Sequence, residues 1–143
     1  MNNDQEMREI LLSTNTVASV GLSSNDEKES YWIVFFLKEQ GYRMIPVNPR
    51  ATEIFGEKAY ASLSEIPDEI EIDVVQIFRK PEDVPPIVEE AIKIGAKVVW
   101  MQEGIVNEEA AKMAREAGLK VVMNVCMRAT HKRLGLGPKT KTE

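Results

Sequence analysis

The stretch Val17-Ala18-Ser19-Val20 is a short apolar run that stops at Gly21, passes through the small turn Leu22-Ser23-Ser24-Asn25, and opens into a second apolar stretch from Tyr31 to Leu37. This reads as a buried strand, a glycine turn and a helix. Few folds accommodate that order. The first N–H groups of such a helix have no acceptor within the helix, and they point outward with the positive end of the dipole. A strand that turns on small residues into a helix is therefore a seat for an anion, such as the phosphates of a nucleotide.

The same alternation continues along the chain. Helical spacing of Met7, Ile10 and Leu11 predicts an opening helix over 4–13. Strand one covers 16–20, a helix covers 30–40 and ends at Gly41, and strand two covers 42–47. Pro46 is acceptable near the end of that strand if its missing donor faces away from the ladder. The connection over 48–67 is rich in proline, glycine and charge, and a short helical turn is expected near 52–55. Strand three covers 73–78. The helix over 82–94 confines Pro85 and Pro86 to its first turn, where proline costs least. Strand four covers 97–101, a helix capped by Asn107 covers 107–117, and strand five covers 120–123. A last short helix is expected over 127–134.

Short apolar strands alternating with helices imply a parallel sheet covered on both faces. The expected fold is α/β: a Rossmann-like three-layer sandwich around a five-stranded parallel sheet in the order 3-2-1-4-5. The 143 residues form one expected domain, with a core over 4–134 and a frayed tail over 135–143. No apolar run approaches the roughly 20 residues that span a bilayer, and the polar, acidic first residues are neither a secretory signal nor a basic transit peptide. The single cysteine, Cys126, excludes a disulfide within the chain and fits a reducing cytoplasm. One cysteine and one histidine, His131, speak against a dedicated zinc site. A net charge of −5 argues against general nucleic-acid binding.

Open α/β sheets bind ligands at the carboxyl ends of their strands, where the strand order reverses. In the expected order the reversal lies between strands one and four. The turn after strand one lacks the G-x-G-x-x-G pattern, since Ser23, Ser24 and Asn25 follow Gly21 and Leu22. Strand two ends in Val47-Asn48-Pro49-Arg50 and so lacks the acid that grips an NAD ribose. Arg50 takes that place. A guanidinium can hold a phosphate with two parallel bonds, which suits the 3′-phosphate of coenzyme A or the 2′-phosphate of NADP.

Four segments, Val20-Gly21-Leu22-Ser23-Ser24-Asn25, Ile45-Pro46-Val47-Asn48-Pro49, Val75-Gln76-Ile77-Phe78-Arg79-Lys80-Pro81 and Met101-Gln102-Glu103-Gly104-Ile105, resemble the small stand-alone CoA-binding proteins of bacteria and archaea. Those proteins are in turn similar to the CoA-binding domain of the succinyl-CoA synthetase alpha subunit. The resemblance covers about residues 5–135. It implies that Gly21, Leu22, Ser23 and Ser24 contact the ADP phosphates, and that Asn48, Pro49 and Arg50 flank the adenosine. It further implies that Phe78 and Arg79 line the next wall, and that Met101, Gln102 and Glu103 border the pantetheine path. The phosphorylated histidine of the synthetase lies in a further domain, and His131 matches no such motif, so that chemistry is not carried over.

The leading expectation is a binder of CoA or an acyl-CoA that acts as carrier, sensor or regulatory module, with no catalytic and no metal residues assigned. A homodimer or a protein partner is compatible with it. One alternative is an NADP-dependent oxidoreductase, for which a single domain of this size leaves little room. Another is a partner-binding protein with a vestigial pocket and an exposed patch of Trp32, Phe35 and Phe36, although those residues are expected in the core. Tyr31 and Trp32 are expected to divide between core and pocket edge. Cys126 reads as a small buried hydrophobe, or more sharply as a thiol able to exchange with the CoA sulfur. His131 reads as a surface or helix-end residue, Lys28 and Lys80 as solvated charges, and Glu89-Glu90 and Glu108-Glu109 as solvated helix positions.

Overall fold

In the computed structural model, which describes residues 3–139, the chain begins with helix α1 (Asp4–Ser13), capped by the Asn3 side chain. Strand β1 (Thr16–Val20), helix α2 (Glu29–Glu39) and strand β2 (Arg43–Val47) follow. The long connection holds two short strands, β3 (Glu53–Ile54) and β4 (Glu57–Lys58). Then come β5 (Val74–Ile77), α3 (Val84–Lys93), β6 (Val98–Met101), α4 (Glu108–Glu116), β7 (Lys120–Met123) and α5 (Met127–Arg133). Two expected features organise the later helices. Pro85 and Pro86 occupy the start of α3, where a missing N–H breaks no helical bond. Asn107 caps α4 by accepting from the Ala110 N–H at 2.8 Å.

The five long strands form one parallel sheet in the order β2-β1-β5-β6-β7. This is the expected Rossmann-like α/β architecture. The strand over 73–78 pairs with β1 on one side and β6 on the other, rather than lying outside β2. In chain order of the five strands the sheet therefore reads 2-1-3-4-5, and the order reverses between β1 and β5. An apolar pattern fixes that a strand exists, not which neighbour it takes, and the connection between β2 and β5 carries no α-helix to decide it.

Residues alternate across the sheet, as every strand must present successive side chains to opposite faces. Ala18, Val20, Ile45, Val75, Ile77, Val99, Met101 and Val121 pack with the inner sides of α3 and α4, notably Val88, Ala110 and Ala114. Val17, Met44, Val74, Trp100 and Val122 pack with Leu11 of α1, Val34 and Leu37 of α2 and Met127 of α5. At the amino ends of the strands, Asp73 accepts the N–H groups of Asn15 and Thr16 at 2.9 and 3.0 Å and pairs with Lys97 at 3.2 Å. Burial raises the Asp73 pKa, but those N–H donors and Lys97 outweigh it and hold the carboxyl below its ordinary range. Beside these contacts a cleft of about 460 Å³ opens at the amino ends of β6 and β7, lined by Ile10 and Ser13 of α1 together with Lys97, Gly118 and Lys120.

Four local expectations change. Residues 52–55 form no helical turn: β3 and β4 are an antiparallel hairpin, with Phe55 (φ 56°) and Gly56 (φ 82°) as its two-residue loop. Two successive positive φ values give the tight reverse turn that matches strand twist. Phe55 tolerates its backbone there while its ring packs 4.7 Å from Tyr31 and 5.7 Å from Phe35. Trp32 and Phe35 are exposed, Tyr31 and Phe36 half-buried. Helix α2 is apolar almost all round, and only the Ile33, Val34 and Leu37 stripe reaches the sheet. The chain after α5 is held in place as far as Lys139. Leu136 packs against the core and the Lys139 N–H donates to the Gln40 carbonyl at 2.7 Å; residues 140–143 lie outside the described residues.

His131 is buried, not superficial. Its Nε2 donates to the Gly137 carbonyl at 2.8 Å, and its Nδ1 lies 3.1 Å from the Tyr42 hydroxyl. Burial lowers the His131 pKa, the Gly137 carbonyl opposes that, and the Lys139 charge adds to it; the net shift is downward from 6.5. The unfolded chain then takes up a proton that the folded chain resists, so this contribution is complete above about pH 6.5 and is lost as pH falls below it. Urea unfolding measured from pH 8 down to pH 5 is expected to show a declining midpoint below pH 6.5, and His131→Gln is expected to lose that component of the slope. A midpoint that rises on acidification would contradict the assignment.

Candidate functional site

The carboxyl ends of the strands carry two clefts and a smaller pocket of about 160 Å³, which adjoins the first cleft through Ala61 and Arg79 and holds Glu90, whose carboxylate accepts the Leu63 N–H at 3.1 Å. The first, of about 500 Å³, lies over β2, β1 and β5 at the point where the strand order reverses. Its walls include Gly21, Asn48, Pro49, Arg50 and Arg79 together with Ala61 from the connection. No carboxylate stands in this lining.

Asn48 builds that cleft. Its Nδ2 donates to the Leu22 carbonyl at 2.9 Å, and its Oδ1 accepts the Arg50 N–H at 2.8 Å. One carboxamide thus ties the exits of β1 and β2 together and orients the backbone of Arg50. The Arg50 side chain is exposed and makes no ion pair among the described residues. Arg79, in the bend after β5, is half-exposed and donates to Asp83, four residues on, at 3.1 Å. An unpaired guanidinium and a loosely paired one face a cleft without acids, an arrangement suited to a phosphorylated ligand.

Gly21 is required by space and by backbone. Its φ is +92°, and a Cβ added there would stand 3.0 Å from the Arg79 Cδ and 3.2 Å from the Phe78 Cβ. The close approach of the β1 and β5 exits depends on that missing atom. Gly21→Ala is expected to cost about 1–3 kcal/mol of stability through the strained backbone, read from the urea midpoint. An unchanged midpoint would show that the turn relaxes freely.

The remaining sequence-selected residues divide clearly. Leu22 and Met101 are fully buried, so neither offers a side chain to a ligand. The Ser23 N–H donates to the buried Ser30 hydroxyl at 3.1 Å, and the Ser23 hydroxyl accepts the Asn25 N–H at 3.0 Å. Ser23 therefore shapes its turn, while exposed Ser24 has no hydrogen-bond partner among the described residues. Phe78, Gln102 and Glu103 line the second cleft, of about 180 Å³, over β5, β6 and β7. Ile33 and Glu29 of α2 close its side, and Cys126, half-buried rather than fully buried, completes the wall.

Sequence reading missed Ala61 and Ser30, which carry no motif of their own. It also passed over Gln76, a polar residue inside the apolar run Val74-Val75-Gln76-Ile77. Gln76 is fully buried, accepts from the Ser19 hydroxyl at 2.9 Å and donates through Nε2 to the Gln102 Oε1 at 3.1 Å. A fully buried amide in a strand signals such a network, because an unmade bond there is costly. Among the described residues no group of histidine, cysteine and acids could hold a metal ion, and no helix is long and apolar enough to cross a membrane.

The chain has relatives in sequence and in fold. The chain is 40% identical over 126 residues to the uncharacterized protein YneT of Bacillus subtilis, covering 88% of this chain and 92% of that one. It is 33% identical over 130 residues to the ADP-forming acetate–CoA ligase I subunit alpha of Pyrococcus furiosus, spanning 80% of this chain but only 28% of the ligase subunit. Among solved structures, a hypothetical protein from Pyrococcus horikoshii superposes with a TM-score of 0.89 at 45% identity, over 95% of this chain and 94% of that one. The profile of the CoA binding domain matches residues 15–132, a span that holds every strand and both clefts. The chain belongs to the CoA-binding domain family.

Proposed function

We propose that the chain binds CoA or an acyl-CoA, with the phosphorylated nucleoside in the first cleft. The observation that carries this reading is the pairing of Arg50 and Arg79 across a cleft that contains no carboxylate, at the reversal of the strand order. Arg50 grips the 3′-phosphate, and Ser24 and the amides of the Gly21 turn face the diphosphate. Membership of the CoA-binding domain family supports the ligand class. In this reading the chain works in the cytoplasm as a carrier, sensor or regulatory module rather than as a catalyst, alone, as a homodimer or with a protein partner.

Mass spectrometry of small molecules released from the natively purified protein tests this reading, together with thermal unfolding in added CoA. Released CoA or acyl-CoA and a midpoint that climbs with CoA concentration are expected. An empty protein whose midpoint ignores CoA would refute it.

A further inference from the structure

We propose that the chain forms a homodimer in which two copies pack their α2 helices antiparallel along one exposed ridge of Lys28, Trp32, Phe35 and Glu39. None of these four residues lines a cleft, so the dimer stands apart from the reading of the ligand.

Helix α2 turns Ser30, Ile33, Val34 and Leu37 inward. At 3.6 residues per turn, the line opposite them runs through Lys28, Trp32, Phe35 and Glu39. All four are exposed, Trp32 at 47% and Phe35 at 37%. The aromatic centre of this line is already ordered. The Trp32 indole N–H donates to the Asp26 carbonyl at 2.7 Å, and its ring meets those of Tyr31 and Phe35 edge-on at 5.0 and 5.7 Å. Phe55 of the hairpin packs against both Tyr31 and Phe35 and widens the strip beside its midpoint. An aromatic strip fixed in this way but left in water is a contact surface that needs little further ordering to be covered.

The order of residues along the line points to a second copy as its cover. Trp32 and Phe35 lie equally far from a midpoint between Ile33 and Val34, and so do Lys28 and Glu39. A two-fold axis through that midpoint lays another α2 antiparallel on the first. Trp32 then faces the partner's Phe35, and Lys28 faces the partner's Glu39, each contact being made twice. The two ends carry opposite charge, so the line is complementary to itself. Within one chain these charges cannot meet, because the helix holds them about 16 Å apart. Neither makes an ion pair among the described residues. Each also opposes the dipole of its own helix, since Lys28 stands at the positive end and Glu39 at the negative end. In the antiparallel pair Lys28 comes to the negative end of the other helix and Glu39 to its positive end, and both repulsions turn into attractions. Glu29 and Lys38, which suit their own dipole, lie off the line.

Sedimentation equilibrium of the unaltered chain, without ligand and over a concentration series, is expected to show a mass rising from 16.1 kDa towards twice that value. Trp32→Glu is expected to weaken the dimer at least about 100-fold, because it strikes the centre of the contact twice. Lys28→Glu and Glu39→Lys are each expected to weaken it at least about tenfold, since each sets like charges face to face on both sides of the axis. Mixing these two single variants is expected to restore a dimer of parent-like strength, as one chain then carries two acids and the other two lysines at the matching positions. Re-pairing requires folded chains, so the mixture also controls for misfolding. A mass of 16.1 kDa at every concentration would overturn the inference. So would a dimer indifferent to all three substitutions, or single variants that fail to re-pair on mixing. None of these results bears on CoA binding, which calorimetry reads separately.

Discussion

Replacing Arg50 and Arg79 together by alanine is expected to weaken CoA binding by at least about 100-fold, since each charge-assisted bond to phosphate is worth about 1.5–3 kcal/mol. The two shares are unequal. Arg50 is free of any ion pair among the described residues, so its whole guanidinium is available. Arg79 already bonds Asp83 at 3.1 Å and gives up part of that bond to take a phosphate. Arg50→Ala alone is therefore expected to account for most of the loss. The unfolding midpoint is expected to stay within about 0.5 kcal/mol of the parent, because an exposed side chain away from packed features stabilises little. Calorimetric titration of the single and double variants checks both statements. Parent-like affinity in the double variant would remove the cleft from the account.

Trp100→Ala is expected to produce the largest loss of stability of any single change considered. Trp100 is fully buried on β6, in register with Gln76 of β5 and Val122 of β7. Its indole N–H donates to the Val125 carbonyl at 2.8 Å. Truncation removes the largest fully buried side chain, leaves a cavity and orphans that carbonyl. Such changes cost about 3–5 kcal/mol, a large part of the roughly 5–15 kcal/mol that holds a domain folded. The thermal midpoint is expected to drop by roughly 10–20 °C. Val125 leads into Cys126, so the second cleft is expected to loosen as well, visible as faster alkylation of Cys126. A small shift in midpoint would mean that the core collapses around the missing ring.

The elements legible in the sequence are those with a local cause. Asn107 announces α4 because its side chain can accept from the Ala110 N–H, and Pro85-Pro86 mark a helix start because only there is the missing donor harmless. The residues of the first cleft were legible for a similar reason. Gly21, Asn48, Pro49, Arg50 and Arg79 sit at strand ends, and strand ends can be read from apolar runs. What depends on the third dimension was not legible. The position of β5 between β1 and β6 is set by packing, as is the burial of His131 under the chain around Gly137. The hairpin turns on Phe55, a residue whose positive φ no pattern announces. Asn48 reads as a ligand contact, but no motif announces that its amide also bonds Leu22 and Arg50 and so shapes the cleft. The same limit applies to Met101 and Leu22, whose motif positions are plain but whose side chains face the core.

The Arg50 guanidinium at the exit of β2 is expected to recognise the phosphate on the ribose of CoA. Calorimetric titration of the unaltered chain with CoA and with dephospho-CoA, which lacks only that phosphate, addresses it most directly. CoA is expected to bind at least about tenfold more tightly, the value of one charge-assisted phosphate contact, and Arg50→Ala is expected to erase the difference. Equal affinity for the two ligands, or no heat with either, would contradict the account.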